Sequence, residues 1–209
     1  SDLHNHLLDY EVKIKDNMIV EKIVNKLHKN VHLSSGEILQ SKTVIIATGA
    51  RWRELNIPGE KENLGKGVAY CPHCDGPFFK NKEVAVVGGG NSGVEAALDL
   101  SGIAKKVSLI EFMPDLKADQ ILVDKVRNSD NIEIFTNTKS KEVVSESGIV
   151  NGLLCEKREN SEEFLIPLKG IFVQIGLIPN SNFVKNLVKT PSYGEIIIDE
   201  SGKTSIEGI

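Results

Sequence analysis

The period of the apolar positions changes several times along the 209-residue chain, and each change predicts an element. Tyr10, Val12 and Ile14 alternate with Glu11 and Lys13, the two-residue period of a half-buried strand. After a turn at Asp16-Asn17, residues 19–27 and 31–33 read as paired strands around Lys29-Asn30. Gly36 marks another turn, and Ile38-Leu39 begins a short strand, so the start of the chain predicts a small antiparallel meander. Residues 43–50 differ: apolar on both faces and ending in Ala47-Thr48-Gly49, they predict a strand buried in a parallel sheet. Residues 59–67 are polar and contain glycine, which suits a surface loop or a linker into a second domain. Residues 1–8 carry no clear signal.

The strongest pattern spans 83–111. An apolar run, 84–87, meets Gly88, Gly89 and Gly90, and a helical period follows up to a second apolar strand ending at Glu111. Gly88, Gly90 and Gly93 have the spacing G-x-G-x-x-G. Each has a physical role: Gly88 the tight strand-to-helix turn, Gly90 close approach of a pyrophosphate, Gly93 close packing of helix on strand. The N–H groups of Asn91, Ser92 and Gly93 at the helix start are then available to phosphates. Beyond this unit the pattern predicts a helix over 118–128, a strand over 131–135, and a β-meander over 139–147, 148–156 and 164–167 with turns at Ser147-Gly148 and Asn160-Ser161. A closing strand with a Gly/Pro turn follows over 170–180, then a short helix over 181–188 and a strand over 194–199. The fold class is α/β: a Rossmann-like, three-layer nucleotide-binding domain with a β-meander, over 68–180, plus parts of a second domain over 1–67 and 181–209.

Composition changes this picture little. Hydrophobic content of 40% and charged content of 26% are ordinary for a globular protein. A net charge of −4 without a Lys/Arg cluster argues against nucleic acid, and no apolar run approaches a transmembrane length. The start has no basic region followed by an apolar one, so a cytoplasmic location is expected.

Candidate chemistry lies in three places. Cys71 and Cys74 form a C-x-x-C pair, while Cys155 stands alone. The spacing is open to a redox disulfide, half of a zinc site, or two inert thiols. No metal site is expected, because His73 sits inside the pair and His4, His6, His28 and His32 have no shared spacing. Asp75 is either a turn acid or a proton donor and acceptor for thiol chemistry. Glu111 lies 23 positions beyond Gly88, near the offset of the acid that binds a ribose diol, and it would repel the 2′-phosphate of NADP, so NADH is the expected donor. Lys117 is the only nearby base before the next helix, a cofactor contact or a solvated lysine.

Taken together, residues 71–76, 88–95, 47–49 and 170–180 resemble the low-molecular-weight thioredoxin reductases, a group of pyridine nucleotide-disulfide oxidoreductases, and most of all their alkyl hydroperoxide reductase flavoprotein branch. The resemblance covers essentially the whole chain. It implies FAD between two domains, a nicotinamide donor, Cys71–Cys74 as the disulfide reduced by the flavin, and Asp75 as the acid of thiol transfer. It assigns Thr48 and Gly49 to a flavin-domain motif and Gly176 to the segment leaving the nicotinamide domain. It makes 1–67 and 181–209 pieces of an FAD-type domain whose glycine-rich unit would precede residue 1 and whose Gly-Asp motif would follow Ile209. The implied partner is a peroxiredoxin or thioredoxin-like protein disulfide, and the full-length protein is expected to be a homodimer. NADPH-dependent thioredoxin reductases carry a basic triplet where this chain has Glu111-Phe112-Met113, which again favours NADH.

Overall fold

The computed structural model describes residues 2–209; Ser1 and the side chains of Leu3 and His4 are outside what it describes, so the reading of His4 as a surface residue falls there too. By its internal contacts the chain forms two compact units, one of residues 1–51 with 178–209 and one of residues 52–177. These borders fall earlier than the expected ones at 67/68 and 180/181.

The first unit opens with α1 (Asp2–Leu8), where no element is expected from sequence. The strand expected over 10–14 is absent: Tyr10, Val12 and Ile14 are all exposed, and no strand pairs with the segment. β1 (Val20–Asn25), β2 (Lys29–Leu33) and β3 (Ile38–Ser41) form the expected antiparallel meander in that order. Its first turn, however, is at 26–28, where Lys26 N–H donates to the His28 carbonyl (3.2 Å) and Leu27 is 94% exposed. Lys29 and Asn30 are therefore strand residues.

The larger correction concerns 43–49, which is irregular rather than a buried strand. Val44 and Ile46 are half-buried but Ile45 is 93% exposed. A buried strand needs ladder partners on both sides, and among the described backbone bonds this stretch has Val44 N–H on Gly208 O (2.8 Å) and Asn180 N–H on Gly49 O (3.0 Å).

β4 (Ala50–Trp52) marks the passage into the second unit. Residues 53–67 form turns, but not a free linker. Buried Glu60 accepts the N–H groups of Leu55 (2.9 Å) and Asn56 (2.7 Å), and Leu55 and Ile57 pack on the core. This anchoring is why the border falls before residue 52.

Next come β5 (Val68–Ala69), α2 (Pro72–Asp75), a 3-10 turn at Gly76–Phe79, β6 (Glu83–Val87), α3 (Asn91–Ser101), β7 (Lys106–Ile110), α4 (Gln120–Arg127) and β8 (Ile132–Phe135). The meander β9 (Thr138–Glu146), β10 (Ile149–Lys157) and β11 (Glu163–Pro167) precedes β12 (Gly170–Val173). The main sheet is parallel, in the order β5-β12-β6-β7-β8.

The alternation of side chains along each strand makes three layers. Ala85, Val87, Ile110, Ile171 and Val173 face the meander, where Val143, Val150, Leu153 and Cys155 are buried against them. Val84, Val86, Val107, Leu109 and Phe172 face the helices, where Val94, Ala97, Leu100 and Val126 cover them. Both sheet faces are dry, which is why the strands read as continuous apolar runs. Ser147 and Gly148 both take positive φ (52° and 75°) in the two-residue turn between β9 and β10.

β13 (Leu177–Pro179) marks the passage back. In the first unit, 182–184 form a 3-10 turn rather than the expected longer helix, and 194–199 form no strand, Ile197 and Ile198 being exposed. Ile23, Val184, Val188 and Ile209 make this unit's small core.

Candidate redox and nucleotide site

The glycine turn sits between the carboxyl end of β6 and α3. Gly88 has φ +124°, and a Cβ there would lie 2.2 Å from the Gln174 carbonyl oxygen; a Cβ at Gly93 would lie 1.8 Å from the Gly88 carbonyl oxygen. Both positions exclude a side chain because backbone approaches backbone. Gly90 differs: nothing comes within 4 Å of a Cβ there, so its surface is open for a ligand. Gly90 also caps α3 without a side-chain partner, leaving the first-turn N–H groups of an eleven-residue helix without acceptors inside the helix.

Glu111, at the end of β7, is 9% exposed. One carboxylate oxygen accepts Gly89 N–H at 2.5 Å and the other accepts Met113 N–H at 2.7 Å. The acid therefore stands directly under the glycine turn and is fixed by it. Asn91 is turned toward the start of α4: its side chain exchanges hydrogen bonds with the Asp119 side chain (3.1 Å) and N–H (2.8 Å). Lys117 is exposed and touches the turn only through its backbone N–H on Gly89 O (2.7 Å). Gly176 has φ +92° with open space around it. Thr48 and Gly49 belong to the first unit, where Thr48 Oγ donates to Asn180 O (2.8 Å) and the space beside Gly49 (φ +61°) is open.

Cys71 and Cys74 are joined in a disulfide, with Cα atoms 5.3 Å apart. Of the three readings open from spacing, the geometry supports the redox pair. Pro72 starts α2 with a preset φ, Cys71 caps it, and Cys74 N–H donates to Cys71 Sγ (3.2 Å). Half-buried Asp75 ends α2, one residue beyond the disulfide. Cys71, Ser92 of α3 and Gln174 line one cleft of about 460 Å3, so the disulfide and the glycine-turn helix share a wall.

Sequence reasoning missed the groups that hold Cys71. The Tyr70 ring stacks on Trp52 (6.3 Å, 7° between planes), its hydroxyl donates to Glu60 (3.0 Å), and its carbonyl accepts the Gln174 amide (2.8 Å). Burial, and then the Glu60 carboxylate, push the Tyr70 phenol well above its ordinary range. A second cleft, of about 500 Å3, opens at the carboxyl edge of the sheet beside Gly88, Glu111, Phe112 and Ile175.

A glycine turn at the carboxyl edge of a parallel sheet, beside a C-x-x-C disulfide, defines a dinucleotide-binding redox module. The chain belongs to the pyridine nucleotide-disulphide oxidoreductase family, whose sequence profile matches residues 4–209. It is 56% identical over 179 residues to the F subunit of alkyl hydroperoxide reductase in Staphylococcus aureus (strain MRSA252), covering 86% of this chain and 35% of that one. The counterpart in Pseudomonas putida is 49% identical over 210 aligned residues, covering 99% and 40%. Among solved structures, the thioredoxin reductase of T. acidophilum superposes with a TM-score of 0.77 at 35% identity, covering 98% of this chain and 67% of that one. The chain thus spans well under half the length of these two reductase relatives. Among the described residues no helix is long and apolar enough to cross a membrane.

Cys155, in β10, is fully buried, and desolvation pushes its thiol up to about 12. The thiolate is the reactive form, so Cys155 is expected to resist iodoacetamide at pH 8.5, where an ordinary cysteine is roughly half ionised. Mass mapping after mild reduction should find label on Cys71 and Cys74 only. Label on Cys155 in the folded protein would contradict this burial.

Proposed function

We propose that the full-length protein is an NADH-dependent flavoprotein disulfide reductase: electrons from NADH reach the Cys71–Cys74 disulfide by way of FAD and pass on to the disulfide of a peroxiredoxin, as in an alkyl hydroperoxide reductase system. The observation that carries this reading is the Cys71–Cys74 disulfide sharing a cleft with the first turn of α3.

The residues fit a nicotinamide dinucleotide. Gly90 leaves room for a pyrophosphate, the free N–H groups at the start of α3 complement its charge, and the fixed Glu111 carboxylate keeps lone pairs for the ribose hydroxyls. For FAD this chain supplies less: open backbone at Gly49, beside Thr48. FAD, when bound, turns a two-electron hydride donor into a reductant for a disulfide.

The remaining roles fall to this chain's own residues. Reduction consumes NADH, the disulfide and one proton and yields NAD+ and two thiols. One thiolate then attacks the partner disulfide, its proton going to a nearby base. The mixed disulfide breaks when the second thiolate attacks it, which restores the Cys71–Cys74 bond and leaves the partner with two thiols. Asp75, the residue after Cys74, would hold or give the proton in these exchanges, and the Tyr70–Glu60–Gln174 contacts keep the Cys71 end in place. Anaerobic NADH added to the full-length protein should free two thiols per chain, on Cys71 and Cys74. A disulfide that stays oxidised while NADH is consumed would sink this reading.

NADH is expected to bind more tightly than NADPH. A 2′-phosphate beside the fixed Glu111 carboxylate would lose hydration against a like charge, a penalty of about 1–3 kcal/mol by analogy with an unpaired buried polar group, or roughly 5- to 150-fold in affinity. Calorimetric titration of both nucleotides measures it, and equal affinities would refute it. Glu111→Arg is a poor specificity swap, because the carboxylate also holds the N–H groups of Gly89 and Met113.

A further inference from the structure

We infer that Arg158 is a positioning residue for the nucleotide, backing Phe112 as a platform for the adenine ring. The inference rests on the nucleotide-binding reading above. Phe112 follows the ribose acid Glu111, lines the cleft at the sheet edge, and is 49% exposed. A half-exposed phenylalanine beside a nucleotide acid offers a flat apolar face of the kind on which bases stack.

Phe112 is held from outside its own segment. Arg158 follows β10 in the meander, and its guanidinium carbon lies 3.9 Å from the centre of the Phe112 ring. Its Nη1 donates to the Phe112 carbonyl at 2.9 Å. One side chain thus fixes both the ring and the backbone of the same residue. Arg158 is itself anchored: its N–H donates to Asn137 O (2.8 Å), and Asn137 N–H donates to Met113 O (2.9 Å). Thr138 N–H on Glu111 O (3.0 Å) completes a frame around 111–113. Phe112 lines the cleft and Arg158 does not, so the guanidinium backs the ring and leaves the cleft side for a ligand.

The chemistry suits adenine. A ring already held in one orientation loses little freedom on stacking a base. A lysine in place of Arg158 would keep the charge but lose the planar contact with the ring and the fork that reaches its carbonyl. The nicotinamide end of the dinucleotide makes no use of this frame, which separates the role of Arg158 from general support of the site.

The test is calorimetric titration of the purified full-length protein with NAD+, with nicotinamide mononucleotide, which lacks the adenosine, and with NADP+. Arg158→Ala is expected to weaken NAD+ roughly 5- to 20-fold and to leave the mononucleotide unchanged, with Arg158→Lys restoring only part of the loss. Phe112→Leu, which keeps apolar bulk but removes the flat face, should weaken NAD+ to a similar extent with the same selectivity. Arg158 is exposed, so circular dichroism should show an unchanged fold. Equal NAD+ affinity in wild type and Arg158→Ala would overturn this inference alone. Equal losses for NAD+ and the mononucleotide would also overturn it, as would a loss confined to NADP+, which would make Arg158 a phosphate contact. A wild-type protein that bound none of the three would overturn the nucleotide reading as well.

Discussion

Serine at Cys71 or Cys74 is expected to abolish electron transfer from the full-length protein to a partner disulfide, by at least about a thousandfold, because the two sulfurs work as one unit. Flavin reduction by NADH should continue at near its original rate, since the pair lies after the flavin in the proposed path. Cys155 cannot substitute: it is fully buried in β10 and its thiol is held protonated. Stopped-flow absorbance would follow flavin reduction, and a coupled peroxide assay would follow the partner. The two variants should differ in one respect. Whichever cysteine attacks the partner can leave a trapped mixed disulfide when its companion is serine, so mass spectrometry of the stalled complex identifies the attacking sulfur. Partner reduction at the original rate in both variants would remove these cysteines from the relay.

The second large effect is a dissociation between two glycines two residues apart. Gly88→Ala places a Cβ 2.2 Å from the Gln174 carbonyl in a backbone at φ +124°. The dihedral strain and the overlap together should cost about 2–5 kcal/mol of stability, with nucleotide affinity lost alongside. Gly90→Ala meets no atom within 4 Å, and Gly90 has an ordinary φ of −82°. Its melting temperature should stay within about 2 °C of the original. Its new methyl nevertheless stands where a pyrophosphate would approach, so affinity for NADH should fall at least tenfold. Thermal melts and titrations of the two variants separate folding from binding. If Gly90→Ala bound NADH normally, the pyrophosphate would not lie over that residue.

The glycine turn was legible because its constraint is local. The three spacings, the apolar run before them and the acid after β7 are all read within thirty residues. The meander was legible for a similar reason, since Ser147-Gly148 and Asn160-Ser161 punctuate its strands. What escaped the sequence depended on distant partners. Residues 43–49 have the composition of a buried strand, yet strand formation is decided by neighbours that donate and accept, and Ile45 stays exposed without them. The same holds for 194–199. Glu60 sits in a polar stretch that suggests a linker, but its carboxylate is buried at 1% exposure and gathers Leu55, Asn56 and Tyr70. Arg158 lies 46 residues beyond Phe112, so a search for cations near Glu111 along the chain stops at Lys117. Only the pairing of β10 with β9 carries Arg158 back to that loop.

The nesting of one unit inside the other has a consequence for the order of events during synthesis. Residues 1–51 leave the ribosome before the inserted unit, but Ile23 finds its buried neighbours Val184, Val188 and Ile209 only after the whole of 52–177 has been made. Closing a disordered loop of that length would cost about 4 kcal/mol. An inserted unit that folded before its host would remove most of that cost. Its own two ends are brought side by side, with Arg53 N–H on the Gly176 carbonyl at 3.0 Å. The nascent chain would then have only a short gap to close, and the redox unit would act as the template on which the two sequence-distant halves of its host meet.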